Sequence, residues 1–388
     1  MRRRTLAAGL AILAVPAVLY FLFAPTFNAP VAAQALGFED EARLAKRLKV
    51  ADGYQLSLFA ASVGRARVMQ QTAAGNFVVT AARDGTVVLV RGDHDGDQRS
   101  DGVEVLAGGL VRPHGLIIEG DDIFIAESHQ VTVSRLVNED QPGKAALEFQ
   151  RIVLKGIPAD GGHSTRTIGH GPDGRLYVSV GSSCNVCIER HPWRAAMLHL
   201  GTDGKAEIHA EGLRNSVGFD WRPGTDQLYA VNAGRDALGD DFPREEMNLV
   251  VQGAHYGWPY VNDNNVPDPD YGERMPASVK LVAPVHRFTA HSTPLSIRFL
   301  RHQRDISAGS AALVARRGSW NRSAKSGYDV VLLRWADDGS ISQEPFITGF
   351  EVSEDVIGRP VGVLETPDGS LYITDDFARA VYRVVRTR

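Results

Sequence analysis

GGHSTRTIGHGPDGRLYVSV (161–180), GLRNSVGFDWRPGTDQLYAV (212–231) and IGRPVGVLETPDGSLYIT (357–374) are three copies of one design. Each carries an imidazole or guanidinium residue near its start, then a short apolar stretch, a turn built on Pro with Gly or Asp, and Leu-Tyr followed by β-formers. His163, Arg214 and Arg359 stand nine, nine and eight residues before the turn prolines Pro172, Pro223 and Pro367, so each holds the same place in its copy. If the copies are arranged around an axis, these three side chains meet at one end of it. That is how a repeat protein makes a site.

Weaker copies of the turn and strand occur at AAGNFVVTAARDGTVVLV (73–90), GDDIFIAESHQVTVSRL (120–136) and SAGSAALVARRGSWNR (307–322), which makes six. The second strand of each copy is expected to begin near residues 76, 122, 175, 227, 311 and 370. A spacing of roughly 46 to 84 residues fits four-stranded propeller blades with inserted loops better than a helical solenoid. Downstream of residue 50, helical periodicity is hard to find, whereas short β-branched and aromatic runs bounded by Gly, Pro, Asp and Asn recur throughout. The reading is all-β: a six-bladed β-propeller with four antiparallel strands per blade. A β-sandwich or two small β domains is the competing reading.

The net charge of −4, with no basic patch interleaved with aromatics, argues against nucleic acid as a partner. Arg2, Arg3 and Arg4 precede the apolar run from Leu6 to Pro25, and small residues follow near Ala32 and Ala33. This describes an export signal, but the run is also long enough to span a bilayer as an anchor, and both remain open. Residues 1–35 are therefore assigned to signal or anchor and 36–388 to the propeller. Either way the propeller is expected outside the cytoplasm, periplasmic or extracytoplasmic, with membrane attachment through the N-terminal segment as one possibility.

Cys184 and Cys187, in SSCNVC, are the only cysteines. In an exported protein a CxxC with no other thiol is most simply a local disulfide. DHDGDQRSDG (93–102) offers carboxylates at Asp93, Asp95, Asp97 and Asp101 around Gly96. It lacks the Glu at the twelfth position of an EF-hand loop, so a structural calcium ion and a solvated acidic turn are both open.

GGHSTRTIGHGPDGRLYVSVGSSCNVC, GLRNSVGFDW, NAGRDALGDDFPREEMN, GAHYGWPY, RRGSWNRS and GRPVGVLETPDGSLYITDD stand in this order along the chain. Together they resemble the soluble pyrroloquinoline quinone (PQQ)-dependent sugar dehydrogenases, most closely the branch labelled glucose/sorbosone or L-sorbosone dehydrogenase. The likeness runs from about residue 45 to the C-terminus. It implies a quinoprotein that oxidises an aldose or related sugar or alcohol, passes electrons to an external quinone or cytochrome, and uses PQQ and Ca2+.

PQQ is a planar ortho-quinone with three carboxylates, and arginine binds carboxylates through a fork that stays charged. By resemblance, Arg214, Arg322 and Arg359 are its cations, Asn215 contacts the quinone, and His114 and Ser292 face the same mouth. His163 occupies the place of the family's catalytic base, and a neutral imidazole suits removal of a hydroxyl proton as hydride leaves. Arg214 is expected to assist by stabilising the substrate oxygen as it gains carbonyl character. The related glucose enzymes carry Asp immediately before this His, where this chain has Gly162, so another group must orient the ring. The resemblance further implies calcium beside the quinone on the backbone carbonyls of Gly234 and Arg235, and a second ion near Glu246 and Tyr256. Two readings of other classes stand beside this one. A metal-dependent lactonase-like hydrolase would need Glu, Asn and Asp at the mouth rather than His and three Arg, and a glycan- or protein-binding propeller would need no catalytic base.

Overall fold

Six antiparallel sheets succeed one another along the chain, and each supplies one blade. The computed structural model describes residues 41–387, so residues 1–35, expected to be a signal or anchor, lie outside the described residues. Among the described residues no helix is long and apolar enough to cross a membrane. The second strands begin at Phe77, Asp122, Leu176, Leu228, Ala311 and Leu371, each at or one residue beyond the position expected from the repeats.

Blade 3 illustrates the unit. Its strands Arg166–His170, Leu176–Val180, Ala196–Leu200 and Ala206–Glu211 pair in sequence order. The first two are joined by the Pro172 turn, where Gly174 takes φ +74°, a conformation that only glycine adopts without cost. The second strands FVVTA, LYVSV, LYAVN and LYITD are buried along their whole length. They read as continuous β-former runs because both faces pack against neighbouring blades. Alternation then assigns each face. Leu176, Val178 and Val180 pack toward blade 2, while Tyr177 packs toward blade 4. Six such apolar clusters fill the six blade interfaces.

The ring is closed by a pairing that the repeats do not announce. Blade 6 takes three strands from the C-terminus, Pro360–Glu365, Leu371–Asp375 and Ala380–Arg386, and its outermost strand, Tyr54–Ala60, from the start of the propeller. Tyr54 lies opposite Arg386 and Leu58 opposite Tyr382. A two-residue strand, Lys49–Val50, adds a fifth member to the outer edge of blade 5. Phe59 anchors the closure: it is 2% exposed and meets Phe77 of blade 1 and Tyr372 of blade 6 edge to face, at 5.5 and 5.0 Å between ring centres. Phe59→Ala is therefore expected to cost about 3–5 kcal/mol in chemical denaturation. A loss of less than about 1 kcal/mol, in the range of exposed substitutions, would mean that the closing strand contributes little.

Candidate active site at the propeller mouth

A cavity of about 330 Å³ lies where the first strands begin and the second strands end, within the size range of small-molecule sites. The segments leading into the first strands, and those strands' opening residues, contribute Arg65, Arg67, Arg112, His163, Arg214, Asn215, His291 and Thr293. Residues just after second strands contribute Arg83, Gly234, Asp236, Arg317 and Asp376.

His163 is oriented by Ser182. Its Nδ1 lies 3.1 Å from the Ser182 carbonyl and 2.8 Å from Ser182 Oγ, which in turn donates to the Cys184 carbonyl at 2.7 Å. A carbonyl only accepts, so Nδ1 carries the proton and Nε2 keeps its lone pair. Burial, then the nearby Arg214 charge, depress the imidazole pKa to about 3, so the ring is neutral at physiological pH. The role left open by Gly162 thus falls to Ser182, from the end of the neighbouring strand. Gly181 makes the approach possible, because a Cβ there would meet His163 Cβ at 2.6 Å and Asn215 Oδ1 at 2.8 Å.

Arg214 is buried and every N–H of its guanidinium is spoken for. Nε donates to the Asn185 carbonyl (2.9 Å), one terminal nitrogen to the carbonyls of Ala233 (3.2 Å) and Gly234 (2.6 Å), and the other to Asn185 Oδ1 (2.8 Å) and Asp236 Oδ2 (2.9 Å). It is a fixed positive charge at the wall with no N–H to spare. Asp236 also accepts from Asn321 Nδ2 at 2.6 Å. Glu245 lines the same wall, accepts from Gly234 N at 2.6 Å, and is pushed up to about 8 by burial, which keeps it protonated at neutral pH.

The other cations differ in how far they are committed. Arg67 and Arg317 share the buried Asp376, and Arg65 pairs with Asp84. Arg83 and Arg112 line the cavity, are exposed, and have no hydrogen-bonding or ion-pair partner among the described residues. None of these five arginines was singled out by the repeat pattern. The available signal was their register: Arg65 and Arg67 bracket the start of a first strand as His163 approaches one, and Arg83, Arg317 and Asp376 follow second strands as Asp236 does.

The nominated residues therefore divide. His163, Arg214, Asn215 and Gly234 come together at the cavity. Arg359 keeps its repeat register, but its guanidinium lies over the Tyr328 ring at 5.1 Å and donates to Tyr328 Oη and the Ser319 carbonyl, outside the lining. Arg322 is drawn to the Asp240 carbonyl and Asp241. His114 is buried behind the lining, faces Thr167, and is held neutral by burial. Ser292 is fully buried with its hydroxyl unpaired. Arg235 turns away to Asp268 and Asp270. Glu246 accepts from the amides of Asn232 and Asn248, and burial raises it to about 7. Tyr256 donates to the Leu249 carbonyl and accepts from Val251 N. The oxygens of Asp93, Asp95 and Asp97 do gather within 4.8 Å of one another, on the acidic turn. Backbone N–H groups of that turn, and Arg383, occupy several of them.

The chain is 28% identical over 354 residues to an uncharacterized protein of Borreliella burgdorferi, covering 87% of this chain and 90% of that one. Among solved structures, a Trichoderma reesei protein of Carbohydrate-Active Enzymes Family AA12 superposes with a TM-score of 0.73 at 20% identity, covering 93% of this chain and 98% of that one. The PQQ domain of pyranose dehydrogenase from Coprinopsis cinerea, in its holo form, superposes at 0.70 with 18% identity, covering 87% and 97%. At these identities the two superpositions establish the shared propeller. Residues 195–383 match the family described as Glucose / Sorbosone dehydrogenase. Residues 48–260, more than half of the chain, match the model described as TrAA12-like, and the chain belongs to that family.

Proposed function

We propose that this chain is a PQQ-dependent dehydrogenase that oxidises a hydroxyl of an aldose or related sugar or alcohol. The observation that carries the reading is His163 Nε2, deprotonated and, among the described residues, unpaired, in a cavity ringed by guanidinium groups of which Arg83 and Arg112 have no described partner. A planar tricarboxylate fits this donor set: Arg83 and Arg112 are free to meet its carboxylates, Arg65, Arg67 and Arg317 add positive charge, and the Asn215 side-chain amide stands beside His163. When bound, PQQ would supply an ortho-quinone that accepts hydride. His163 Nε2 takes the substrate hydroxyl proton, while Ser182 holds the opposite side of the ring and keeps the second proton on Nδ1. Arg214 acts as a fixed charge that favours electron-rich oxygen nearby and disfavours protonation of His163.

Calcium at the 233–235 loop does not fit the donor set. The Gly234 carbonyl, one of the two nominated oxygens, accepts from Arg214 at 2.6 Å and is already engaged by a cation. The sites nominated for a second ion, Glu246 and Tyr256, are committed to protein partners. No step here uses a metal. The sugar, the external acceptor and the extracytoplasmic location belong to the same proposal, the last supported by the Cys184–Cys187 disulfide.

The test is titration of the purified chain with PQQ, followed by a dye-linked assay over aldoses, sorbosone and simple alcohols. One-to-one binding with sugar-dependent dye reduction is expected, and no binding at micromolar PQQ in low salt would end the proposal. Within it, Gly181→Ala drives a methyl into the space shared by His163 and Asn215. Turnover should fall at least about tenfold with the fold intact, since small displacements of positioned groups cost up to about a hundredfold. Wild-type turnover in this variant would show that the close packing of His163 on Gly181 is not required.

A further inference from the structure

The 181–195 connection in blade 3 leaves its strand and closes on itself through the Cys184–Cys187 disulfide, with Asn185 inside the ring. The polar atoms of Asn185 face the mouth loop of blade 4. Its carbonyl accepts from Arg214 Nε (2.9 Å) and Trp258 Nε1 (3.2 Å). Its side-chain Oδ1 accepts from Arg214 (2.8 Å) and from Asp236 N (2.8 Å), and its Nδ2 donates to the Asp236 carbonyl at 3.0 Å. The amide has one orientation, because a flip would set N–H against N–H and oxygen against oxygen. The same turn also reaches the base: the Cys184 carbonyl accepts a hydrogen bond from the Ser182 hydroxyl, leaving Ser182 Oγ to accept from His163 Nδ1. Glu189 braces the turn from behind by accepting from Ser183 N and Oγ.

We propose that Asn185 is a positioning residue of this site: presented by the disulfide-closed turn, it locks Arg214 and Asp236 together while its neighbour Cys184 anchors the Ser182 hydroxyl that accepts from His163 Nδ1. The inference rests on the functional reading above for its effect on turnover, though the lock itself belongs to the ligand-free protein. Two N–H groups of a buried guanidinium end on this one residue, and a turn without helix or strand holds such an arrangement only if something fixes it. The disulfide does so, and both cysteines are half-buried rather than in the core.

The test has a chemical and a spectroscopic arm. In Asn185→Ala, turnover at saturating sugar should fall at least about tenfold, with KM and PQQ affinity within about threefold because the unpaired arginines are untouched. In ligand-free protein, exchange of the Arg214 Nε–H, followed by 15N NMR and assigned with Arg214→Lys, should be slow in wild type and at least about tenfold faster in the variant. Reduction of folded wild type by a water-soluble phosphine, which breaks the S–S bond to two thiols and becomes the phosphine oxide with oxygen from water, should accelerate the same exchange. Should Asn185→Ala not fold, Asn185→Asp keeps the shared oxygen but loses the donor, and intermediate values are expected. Unchanged turnover and unchanged exchange in either folded variant overturn the proposal, as does unchanged exchange after reduction. If wild type shows no dye-linked turnover, the functional reading fails, and the exchange of Arg214 still decides on Asn185.

Discussion

Replacing His163 with glutamine should lower turnover by about a hundred- to ten-thousand-fold, the usual loss when a general base is removed, while PQQ still binds. Glutamine keeps an amide that can donate toward Ser182, so the wall of the cavity survives and the basic nitrogen does not. The pH dependence is equally specific. The imidazole is held down to about 3 by burial and by Arg214, so it is already deprotonated at pH 5. The rate should therefore show no fall through the ordinary imidazole range near pH 6.5, and His163 should limit it only as pH approaches 3. The sign for stability runs the same way: below the unfolded imidazole pKa the unfolded ring takes a proton that the folded ring refuses, so His163 weakens the fold as pH falls. Turnover within about threefold of wild type in His163→Gln with PQQ bound, or an acid limb at 6.5 that disappears in the variant, would remove His163 or its stated environment from the account.

The second large effect concerns Arg83 and Arg112. Among the described residues neither is tied to another by a hydrogen bond or ion pair, so removing both should leave the melting temperature unchanged. Each charge-assisted contact is worth roughly tenfold in affinity at an exposed site, so Arg83→Ala with Arg112→Ala should weaken PQQ about a hundredfold, and the salt dependence of binding should shrink with it. Arg359→Ala, the substitution the repeat pattern favours, should do less, because that guanidinium is spent on Tyr328 and Ser319. Equal PQQ affinity in wild type and the double variant, measured by absorbance titration, would place the ligand elsewhere.

The repeats carried the fold because a blade is a local object: each PDG-like turn and each continuous β-former run announces itself within about twenty residues, and all six second strands fall where expected. Closure was not legible, since YQLSLFA reads as one more strand and nothing local says that its partner is Ala380–Arg386. The lining of the candidate cavity was legible where chemistry and register coincide, at His163 and Arg214. It was not legible where function depends on which way a long side chain turns. Arg359 shares its register with Arg214, yet an aromatic ring and two oxygens claim it, whereas Arg83 and Arg112 lie in the plain-looking strings AARDG and VRPHG. Ser182 and Asn185 were hidden for a related reason: their roles are set by the far ends of hydrogen bonds to His163, Arg214 and Asp236.

The central claim is that this cavity holds PQQ with His163 as the base, and a single-turnover experiment without an external acceptor tests it most directly. The protein is loaded with one equivalent of PQQ, mixed with an oxidisable aldose from the dye-linked panel, and the quinone absorbance is followed in wild type and in His163→Gln. The account predicts rapid loss of quinone absorbance in wild type and a loss at least about a hundredfold slower in the variant at equal cofactor loading. Equal rates in the two proteins, or no cofactor retained by wild type, would contradict it.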